Sequence, residues 1–238
     1  MGSVKDWDYI AEHLKADFCL LTVDLPGHGQ SFNLDNSKYT IESASQAIVD
    51  ILKDISIDKC CLAAYSMGGR IGYYLLVHFP EFFDKAIIES STPGIADESE
   101  RVERIASDKK LAEKLLSQPL EQFVTAWYRL PLFESLDKSS LAYHNLYERR
   151  LLNNPNTLAK SLLHMGTGAM PPLWEKLDQI ACELLLIVGG KDEKFKTIAD
   201  AVHKKIKISE VVTITNAGHN VHFEQSDQFI KALKKFLK

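Results

Sequence analysis

Five short runs of apolar residues divide this chain, and longer stretches with helical periodicity separate them. The runs occupy residues 18–23, 60–65, 85–89, 183–188 and 211–215. Because they are almost continuously apolar rather than alternating, they predict strands buried on both faces, as in a parallel sheet. The expected fold class is therefore α/β: a mostly parallel sheet with helices on both faces. With 238 residues and 45% apolar composition, the chain can bury such a core as one main domain.

Two stretches show the periodicity of amphipathic helices that pack on a sheet. Apolar residues recur every three or four positions over residues 41–55 and again over residues 229–237. The alternation of strands and helices stops between residues 93 and 172, where the sequence is charged, helical in period and without a strand pattern. We therefore expect a core formed by residues 1–92 and 173–238, with a helical lid inserted over residues 93–172.

Net charge and hydropathy argue against nucleic acid and membranes as binding partners of this chain. The formal net charge is −4, so the chain has no basic field suited to nucleic acid or to anionic membranes. No apolar run approaches membrane-spanning length, and the N-terminal residues lack the basic start and apolar stretch of a leader. We expect a cytoplasmic protein, monomeric or homodimeric, that binds no nucleic acid and spans no membrane.

Cysteine usage indicates a reducing compartment. The four cysteines are Cys19, Cys60, Cys61 and Cys182, and no pair has C-x-x-C spacing. Because Cys60 and Cys61 adjoin inside an apolar run, we expect buried free thiols rather than disulfides or metal ligands.

The sequence around Ser66 is typical of a nucleophile elbow, a sharp turn between a strand and a helix. An apolar run ends at Tyr65, Ser66 follows, and Gly68 and Gly69 precede a helical stretch. Small residues two positions before and after the serine, here Ala64 and Gly68, let the backbone turn tightly and project the hydroxyl above the sheet. The alternative is a serine that only caps a helix N-terminus. The strand that precedes it favours the nucleophile.

Two further residues extend Ser66 to a candidate triad. Asp192 follows the run at residues 183–188, and His219 follows the run at residues 211–215. In an open parallel sheet, catalytic groups gather at the carboxyl ends of the strands. The chain order Ser, Asp, His is that of the α/β-hydrolase fold, in which histidine accepts the serine proton and aspartate orients the histidine.

Neighbouring residues compete for two of these roles. Glu193 could serve as the acid in place of Asp192, and His222 could serve as the base in place of His219. We prefer Asp192 and His219 because they lie nearest the ends of their strands.

The turn at residues 24–31 contains another histidine, His28. Pro26, Gly27 and Gly29 interrupt the backbone within four residues. We interpret this segment as a rigid turn without chemistry, and His28 as structural rather than catalytic.

Arginine is distributed unevenly along the chain. All but one of the six arginines lie in the expected lid, and the full set is Arg70, Arg101, Arg104, Arg129, Arg149 and Arg150. Arg70 comes four residues after Ser66, hence one helical turn further along, from where its side chain can reach back over the serine. Guanidinium groups bind carboxylates in a bidentate manner that lysine cannot reproduce. The pattern indicates an acidic ligand with more than one carboxylate.

Solvated surface or core packing is the alternative for several of these residues. Residues 100–114 pair glutamates with arginines at helical spacing, as an exposed helix does. Trp127 and Tyr128 could wall a pocket or pack in a core. The sequence leaves both questions open.

Several motifs form a distinctive series along the chain. They are Ala64-Tyr65-Ser66-Met67-Gly68-Gly69-Arg70, Glu89-Ser90-Ser91-Thr92-Pro93-Gly94-Ile95, Trp127-Tyr128 with Pro131-Leu132-Phe133, Gly166-Thr167-Gly168, Lys191-Asp192-Glu193-Lys194-Phe195 and Gly218-His219-Asn220. The series resembles the 2-succinyl-6-hydroxy-2,4-cyclohexadiene-1-carboxylate synthase family, menaquinone-pathway lyases of the α/β-hydrolase superfamily. The likeness extends over nearly the whole chain.

The resemblance implies a cofactor-independent carbon–oxygen lyase with a small polycarboxylate substrate. That substrate, 2-succinyl-5-enolpyruvyl-6-hydroxy-3-cyclohexene-1-carboxylate, would lose pyruvate, with Ser66 as the base acting through His219 and Asp192. By position in the matching motifs, the substrate-binding residues would be Arg70, Arg104, Arg150, Tyr65 and Trp127. Arg149 adjoins Arg150 and competes with it for this role.

The start of the chain departs from the pattern of this fold. Other members begin with a strand ending in His-Gly-Phe, whose following loop donates a backbone N–H to the developing oxyanion, and residues 2–7 resemble only the tail of that loop. We therefore expect an N-terminally incomplete chain that retains the amide of Met67 as its oxyanion donor. The alternative functions are an ester or carbon–carbon bond hydrolase of the same fold and a catalytically silent, ligand-binding relative.

Overall fold

Four of the five predicted strands form one sheet. The computed structural model describes residues 1–238. The strands are parallel and lie side by side in chain order: β1 (Cys60–Tyr65), β2 (Phe83–Glu89), β3 (Glu183–Gly189) and β4 (Ser209–Ile214). Tyr65 pairs with Glu89, and Glu89 pairs with Ile187, so the carboxyl ends of the strands meet at one edge. The predicted α/β class and parallel sheet are confirmed.

The prediction of a strand at residues 18–23 is wrong. The segment pairs with no other strand, and Leu20 and Leu21 are 41% and 51% exposed. β1 is the edge strand of the sheet, with β2 as its only neighbour. An apolar composition favours a strand, but the strand forms only where a neighbour satisfies its N–H and C=O groups. Residues 18–23 have no such neighbour.

The cysteines are free, as predicted, but none of them is buried. Cys19 and Cys61 are exposed, and Cys60 and Cys182 are half-buried. The expectation of burial assumed covered strands on either side of each apolar run. Cys61 instead lies on the edge strand β1, and Cys19 lies in the unpaired segment 18–23.

Ten α-helices complete the fold. They are α1 (Asp8–Leu14), α2 (Ile41–Asp54), α3 (Met67–His78), α4 (Glu98–Ser117), α5 (Leu120–Trp127), α6 (Leu141–Leu151), α7 (Pro155–Met165), α8 (Glu193–His203), α9 (Val221–Glu224) and α10 (Ser226–Leu237). Short 3₁₀ helices occupy Val4–Trp7, Asn36–Lys38, Pro80–Phe82, Pro131–Phe133 and Trp174–Gln179. The predicted helices at 41–55 and 229–237 correspond to α2 and α10. None of the helices combines the length and apolar character needed to cross a membrane.

Helices cover both faces of the sheet. Successive residues of β2 alternate between two apolar cores: Ile88 belongs to the larger cluster, and Ile87 belongs to the smaller one. The larger core includes residues of α2, α3 and α8, and the smaller includes residues of α1 and α10. The sheet is therefore the middle of three layers, and its carboxyl edge is left for the site.

Four helices stand between β2 and β3 in the chain, where the lid was predicted. α4 packs against α7, and α5 contacts both α4 and α6. Apolar residues from α4, α5 and α7, including Leu115, Phe123 and Leu158, form a small core of their own. These helices adjoin the edge at which the strands of the sheet end.

Candidate active site

Ser66 occupies the turn between β1 and α3. Its backbone has φ +50° and ψ −108°, a conformation that L-residues rarely adopt. The N–H of Ser66 donates to the carbonyl of Glu89 at 2.9 Å, so the neighbouring strand holds the turn in place. Strained residues of this kind persist where the surrounding structure fixes them, and they cluster at active sites.

At the elbow, Gly69 is the residue that has no space for a side chain. A Cβ at Gly69 would lie 2.5 Å from the Cβ of Ser91, whereas a Cβ at Gly68 would lie 4.0 Å from that of Ala64. Only glycine therefore fits at Gly69 without movement of its neighbours. The elbow motif drew attention to Gly68, but the close approach is one residue later.

Three side chains meet at the carboxyl edge of the sheet. The Nε2 of His219 is 3.1 Å from the Oγ of Ser66, and its Nδ1 is 2.9 Å from an Oδ of Asp192. His219 and Asp192 are both buried. A neutral imidazole with its proton on Nδ1 donates to Asp192 and accepts the serine hydroxyl at Nε2. This arrangement can move a proton from Ser66 to His219.

The loops that carry Asp192 and His219 are tightly held. A Cβ on Gly189 would clash with the carbonyl oxygens of Gly218 and Ala217, so the end of β3 and the loop before His219 can approach only because this residue is glycine. Glu224 accepts the N–H of Gly218 at 3.0 Å and that of Asn220 at 3.2 Å, on either side of His219. No sequence pattern predicts this role for Glu224, because its partners are backbone amides, which every residue carries.

The competing residues have other contacts. Glu193 is exposed and pairs with Lys196 at 2.8 Å. His222 is buried but contacts neither Ser66 nor Asp192; its Nδ1 is 2.7 Å from a carboxylate oxygen of Glu89. Of the two histidines, His219 is the one that contacts Ser66.

Met67 is the first residue of α3. The first N–H groups of a helix have no partner within the helix, and they carry its positive dipole end. The amide of Met67 therefore lies next to Ser66 with the character of an oxyanion donor.

Two of the predicted arginines, Arg70 of α3 and Arg104 of α4, lie close enough for their charges to repel. Arg70 is 9% exposed and donates to the carbonyl of Met165 at 2.6 Å. Arg104 donates to Asp108 at 2.8 Å. Burial, with repulsion from Arg104, lowers the pKa of Arg70 to about 10, so the guanidinium stays charged at neutral pH. A buried positive charge is thus placed one helical turn from Ser66.

Arg150 is buried, and Arg149 is not. Arg150 donates to the hydroxyl of Tyr128 at 3.0 Å and forms an ion pair with Asp6 at 2.8 Å. Arg149 also binds Asp6, at 3.1 Å, but its side chain is 29% exposed. Burial alone would lower the pKa of Arg150, but Tyr128 and Asp6 outweigh it and raise the pKa above its usual value. Of the two neighbours, Arg150 faces the interior.

Aromatic residues surround the catalytic histidine candidate. The ring of Tyr65 lies 5.3 Å from that of His219, and the ring of Phe195 lies 4.7 Å from it. Trp127 is half-buried and stands further out, 5.8 Å from Phe133, which in turn is 6.2 Å from His219. Burial raises the pKa of Tyr65 well above its ordinary value. Tyr65 therefore stays neutral beside His219.

The turn at residues 24–31 joins segments of the chain. Asp24 accepts the N–H groups of Val4 and Gln30 at 2.8 and 2.9 Å, and the carbonyl of Gly27 accepts the hydroxyl of Thr157. His28 is buried with its Nδ1 3.2 Å from the carbonyl of Pro26. Its hydrogen bonds are to Pro26, Leu25 and Ser31, and none is to Ser66, Asp192 or His219. No group of three or more His, Cys, Asp or Glu side chains is arranged to hold a metal ion.

Residues 1–226 match the sequence model of the α/β-hydrolase fold family. An elbow serine, an aspartate after β3 and a histidine after β4, in that chain order, are the marks of that family's site. Fold and site together define an enzyme of the α/β-hydrolase superfamily.

Relatives at higher identity narrow the assignment. The chain is 37% identical to a Bacillus subtilis (strain 168) protein provisionally named 2-succinyl-6-hydroxy-2,4-cyclohexadiene-1-carboxylate synthase, over 99% of this chain and 86% of that protein. It is 31% identical to the same synthase of Serratia proteamaculans (strain 568), over 100% of this chain and 89% of that one. The structure of MenH from S. aureus superposes with a TM-score of 0.95 at 32% identity, over 99% of this chain and 89% of that one. The chain belongs to the 2-succinyl-6-hydroxy-2,4-cyclohexadiene-1-carboxylate synthase family.

Proposed function

We propose that this chain is a cytoplasmic, cofactor-independent lyase of menaquinone biosynthesis. It eliminates pyruvate from 2-succinyl-5-enolpyruvyl-6-hydroxy-3-cyclohexene-1-carboxylate and gives 2-succinyl-6-hydroxy-2,4-cyclohexadiene-1-carboxylate. The observation that carries the proposal is the buried guanidinium of Arg70 one turn beyond Ser66, in a chain of this family. An ester hydrolase needs the same triad but has no need of a buried cation there.

The structures of substrate and product define the bonds that change. The ring double bond at C3 is replaced by double bonds at C2 and C4, so the ring loses its C2 proton and its C5 oxygen substituent. The C2–H electrons form the C2–C3 double bond, and the C3–C4 pair moves to C4–C5. The C5–O pair leaves with enolpyruvate, which takes up a proton and becomes pyruvate. Electrons and atoms balance without an oxidant or reductant.

Ser66 and His219 supply the base in this scheme. The Oγ of Ser66 removes the C2 proton while Nε2 of His219 takes the hydroxyl proton, and Asp192 stabilises the imidazolium that forms. The C2 carbon is next to the succinyl carbonyl, so negative charge develops on that carbonyl oxygen. The amide of Met67, at the N-terminus of α3, is placed to stabilise it.

The substrate carries three carboxylates, on the succinyl chain, on the ring and on the enolpyruvyl group. We assign their binding to Arg70, Arg104 and Arg150, because guanidinium groups recognise carboxylates through N–H donors. Arg70 and Arg104 each use one nitrogen in a protein hydrogen bond, whereas Arg150 would bind through the N–H groups that Tyr128 and Asp6 leave free. Tyr65 beside His219 and Trp127 in the lid form walls of the same site.

Pyruvate release from the purified chain tests this function. The assay couples pyruvate to lactate dehydrogenase and follows the new ring diene by its ultraviolet absorbance. Ser66→Ala should lower the rate by about 10²- to 10⁴-fold, the usual range for loss of a positioned acid–base group. Ser139→Ala, at an exposed serine of the lid loop, serves as the matched control.

Two other results would assign a different function. Hydrolysis of nitrophenyl esters without any release of pyruvate would identify a hydrolase of the same fold. Saturable binding of the substrate without turnover would identify a ligand-binding relative.

A further inference from the structure

Two buried acid–base groups lie beside the triad without belonging to it. Glu89 is 1% exposed and His222 is 4% exposed. One carboxylate oxygen of Glu89 is 2.7 Å from Nδ1 of His222, and the other accepts the backbone N–H of His222 at 3.1 Å. A buried carboxylate is costly unless it is paired and hydrogen-bonded, so each of these groups depends on the other. The proposed elimination uses neither of them.

Glu89 connects the two halves of the catalytic site. It ends β2, and its carbonyl oxygen accepts the N–H of Ser66 at 2.9 Å. Its carboxylate binds His222, which lies three residues after His219 and in the short helix α9. One residue in the middle of the sheet therefore fixes both the elbow and the segment that carries the base.

The ring of His222 is held between aromatic residues. It stacks on Trp7 with centroids 4.5 Å apart and planes 6° apart, and it meets Tyr65 edge to face at 4.9 Å and 72°. Tyr65 is also 5.3 Å from His219. A change in the orientation of the His222 ring would thus affect the position of His219 in two ways. One is the ring contact with Tyr65, and the other is the short backbone segment that joins residues 219 and 222.

We propose that Glu89 and His222 are positioning residues for the reaction, setting the orientation of the His219 imidazole toward Ser66. The Glu89 carboxylate fixes the tautomer and rotation of the His222 ring, and that ring supports Tyr65 against His219. The inference concerns the orientation of the catalytic base, and its link to pyruvate release rests on the proposed function.

Glu89→Gln tests the pair with little change of shape. A glutamine offers one acceptor where the carboxylate offers two, so it cannot bind both N–H groups of His222. We expect kcat for pyruvate release to fall about 10- to 100-fold, as for a small misplacement of a catalytic group, while KM stays within about twofold. The rate at which a fluorophosphonate labels Ser66 should fall by a similar factor, since that reaction needs the same serine and histidine.

A double variant separates positioning from folding. Glu89→Gln with His222→Leu removes the ring that supports Tyr65 and leaves the glutamine oxygen to accept the backbone N–H of residue 222. The kcat and labelling rate of both variants are compared with the parent at a temperature at which their melting curves show fully folded protein. If the pair only stabilises the fold, both rates equal those of the parent under these conditions, and the inference is overturned. If the pair positions His219, both rates stay low in the folded protein, and the double variant is at least as slow as Glu89→Gln.

The matched control is Glu183→Gln, which removes the exposed partner of Lys85 at the opposite end of the sheet. Its kcat for pyruvate release and its labelling rate should both equal those of the parent. Labelling needs no pyruvate chemistry. If the parent labels at Ser66 but releases no pyruvate, the proposed function fails while slow labelling of Glu89→Gln still supports the inference. Labelling of Glu89→Gln at the parent rate contradicts it.

Discussion

Arg70 is the residue at which burial and charge conflict most directly. A guanidinium has five N–H donors, and in the structure its side chain donates to the carbonyl of Met165. Its other donors make no hydrogen bond in the structure, and they lie close enough to Arg104 and Asp108 to feel their charges. A substrate carboxylate would satisfy them, and it would also offset the repulsion between the two arginines.

Replacing Arg70 should therefore weaken substrate capture. Arg70→Ala removes charge-assisted hydrogen bonds, each about 1.5–3 kcal/mol, so kcat/KM for pyruvate release should fall about 10- to 100-fold, mainly through KM. Arg70→Lys should recover only part of that loss, because a lysine cannot bind a carboxylate in bidentate fashion. Arg129→Ala, at an exposed arginine of the lid, is the control. Parental kinetics in Arg70→Ala would remove this residue from the site.

The predicted triad residues share one property: each lies within four residues after the end of an apolar run. Ser66, Asp192 and His219 were identified in this way, and the structure brings them together. Asp6, Glu89 and Glu224 were not identified as parts of the site's framework. The chain has 32 acidic residues, and Asp6 is separated from its partner Arg150 by 144 positions. The residues next to such a carboxylate in the sequence do not distinguish it from a carboxylate exposed to solvent.

At the scale of elements, the elbow depends on the fit of α3 against the loop after β2. The hydroxyl of Ser91, in that loop, donates to the carbonyl of Ser66 at 2.7 Å. The same residue lies directly over Gly69, where a Cβ would be 2.5 Å from the Cβ of Ser91. The helix, the elbow and the loop therefore form one packed unit.

A methyl group at Gly69 should disturb that unit. Gly69→Ala should lower the free energy of unfolding by about 1–3 kcal/mol, the usual cost of overpacking. Gly68→Ala is the matched control: its Cβ has room, and alanine is favoured over glycine in a helix by up to about 1 kcal/mol. Urea denaturation of both variants measures the difference. If Gly69→Ala is as stable as Gly68→Ala, the elbow is less tightly packed than its geometry indicates.

The elements were predictable where a local pattern coincides with a partner in space. The runs that became β1 to β4 have neighbouring strands to bond with, and residues 18–23 have the same composition without one. Pairing is a non-local property that composition does not encode. The same reason explains why the cysteines of β1 are less buried than their apolar surroundings suggested.

At the scale of the whole molecule, helices α6 and α7 are tied to the N-terminal part of the chain by polar contacts. Asp6 binds Arg149 and Arg150 of α6, and Thr157 of α7 donates to the carbonyl of Gly27. Beside these contacts, His28 is buried next to positive charge. Burial, with repulsion from Arg150, lowers the pKa of His28 to about 3. This region thus contains His28, which resists protonation, and Asp6, which must stay ionised to bind Arg149 and Arg150.

This region should make the protein sensitive to acid. In the unfolded chain the pKa of His28 is 6.5. Above that pH, His28 is neutral in both the folded and the unfolded state, so its titration does not lower the free energy of unfolding. Between that pH and about 3 only the unfolded chain binds the proton, so stability falls as pH falls. The pKa of Asp6 is also lowered: burial opposes the shift, but Arg150 and Arg149 outweigh it. Its contribution is lost at still lower pH, as the carboxylate in the folded state takes up its proton.

Replacing His28 by a residue that does not titrate should reduce this acid sensitivity. Each proton bound only by the unfolded chain gives a slope of about 1.4 kcal/mol per pH unit, and His28→Gln should remove up to that slope between pH 6 and 4. The measurement is the free energy of unfolding by urea at a series of pH values. His144→Gln, at an exposed histidine of α6, should leave the slope unchanged. If His28→Gln shows the parental slope, His28 is already protonated in the folded protein, and the acid sensitivity comes from other groups.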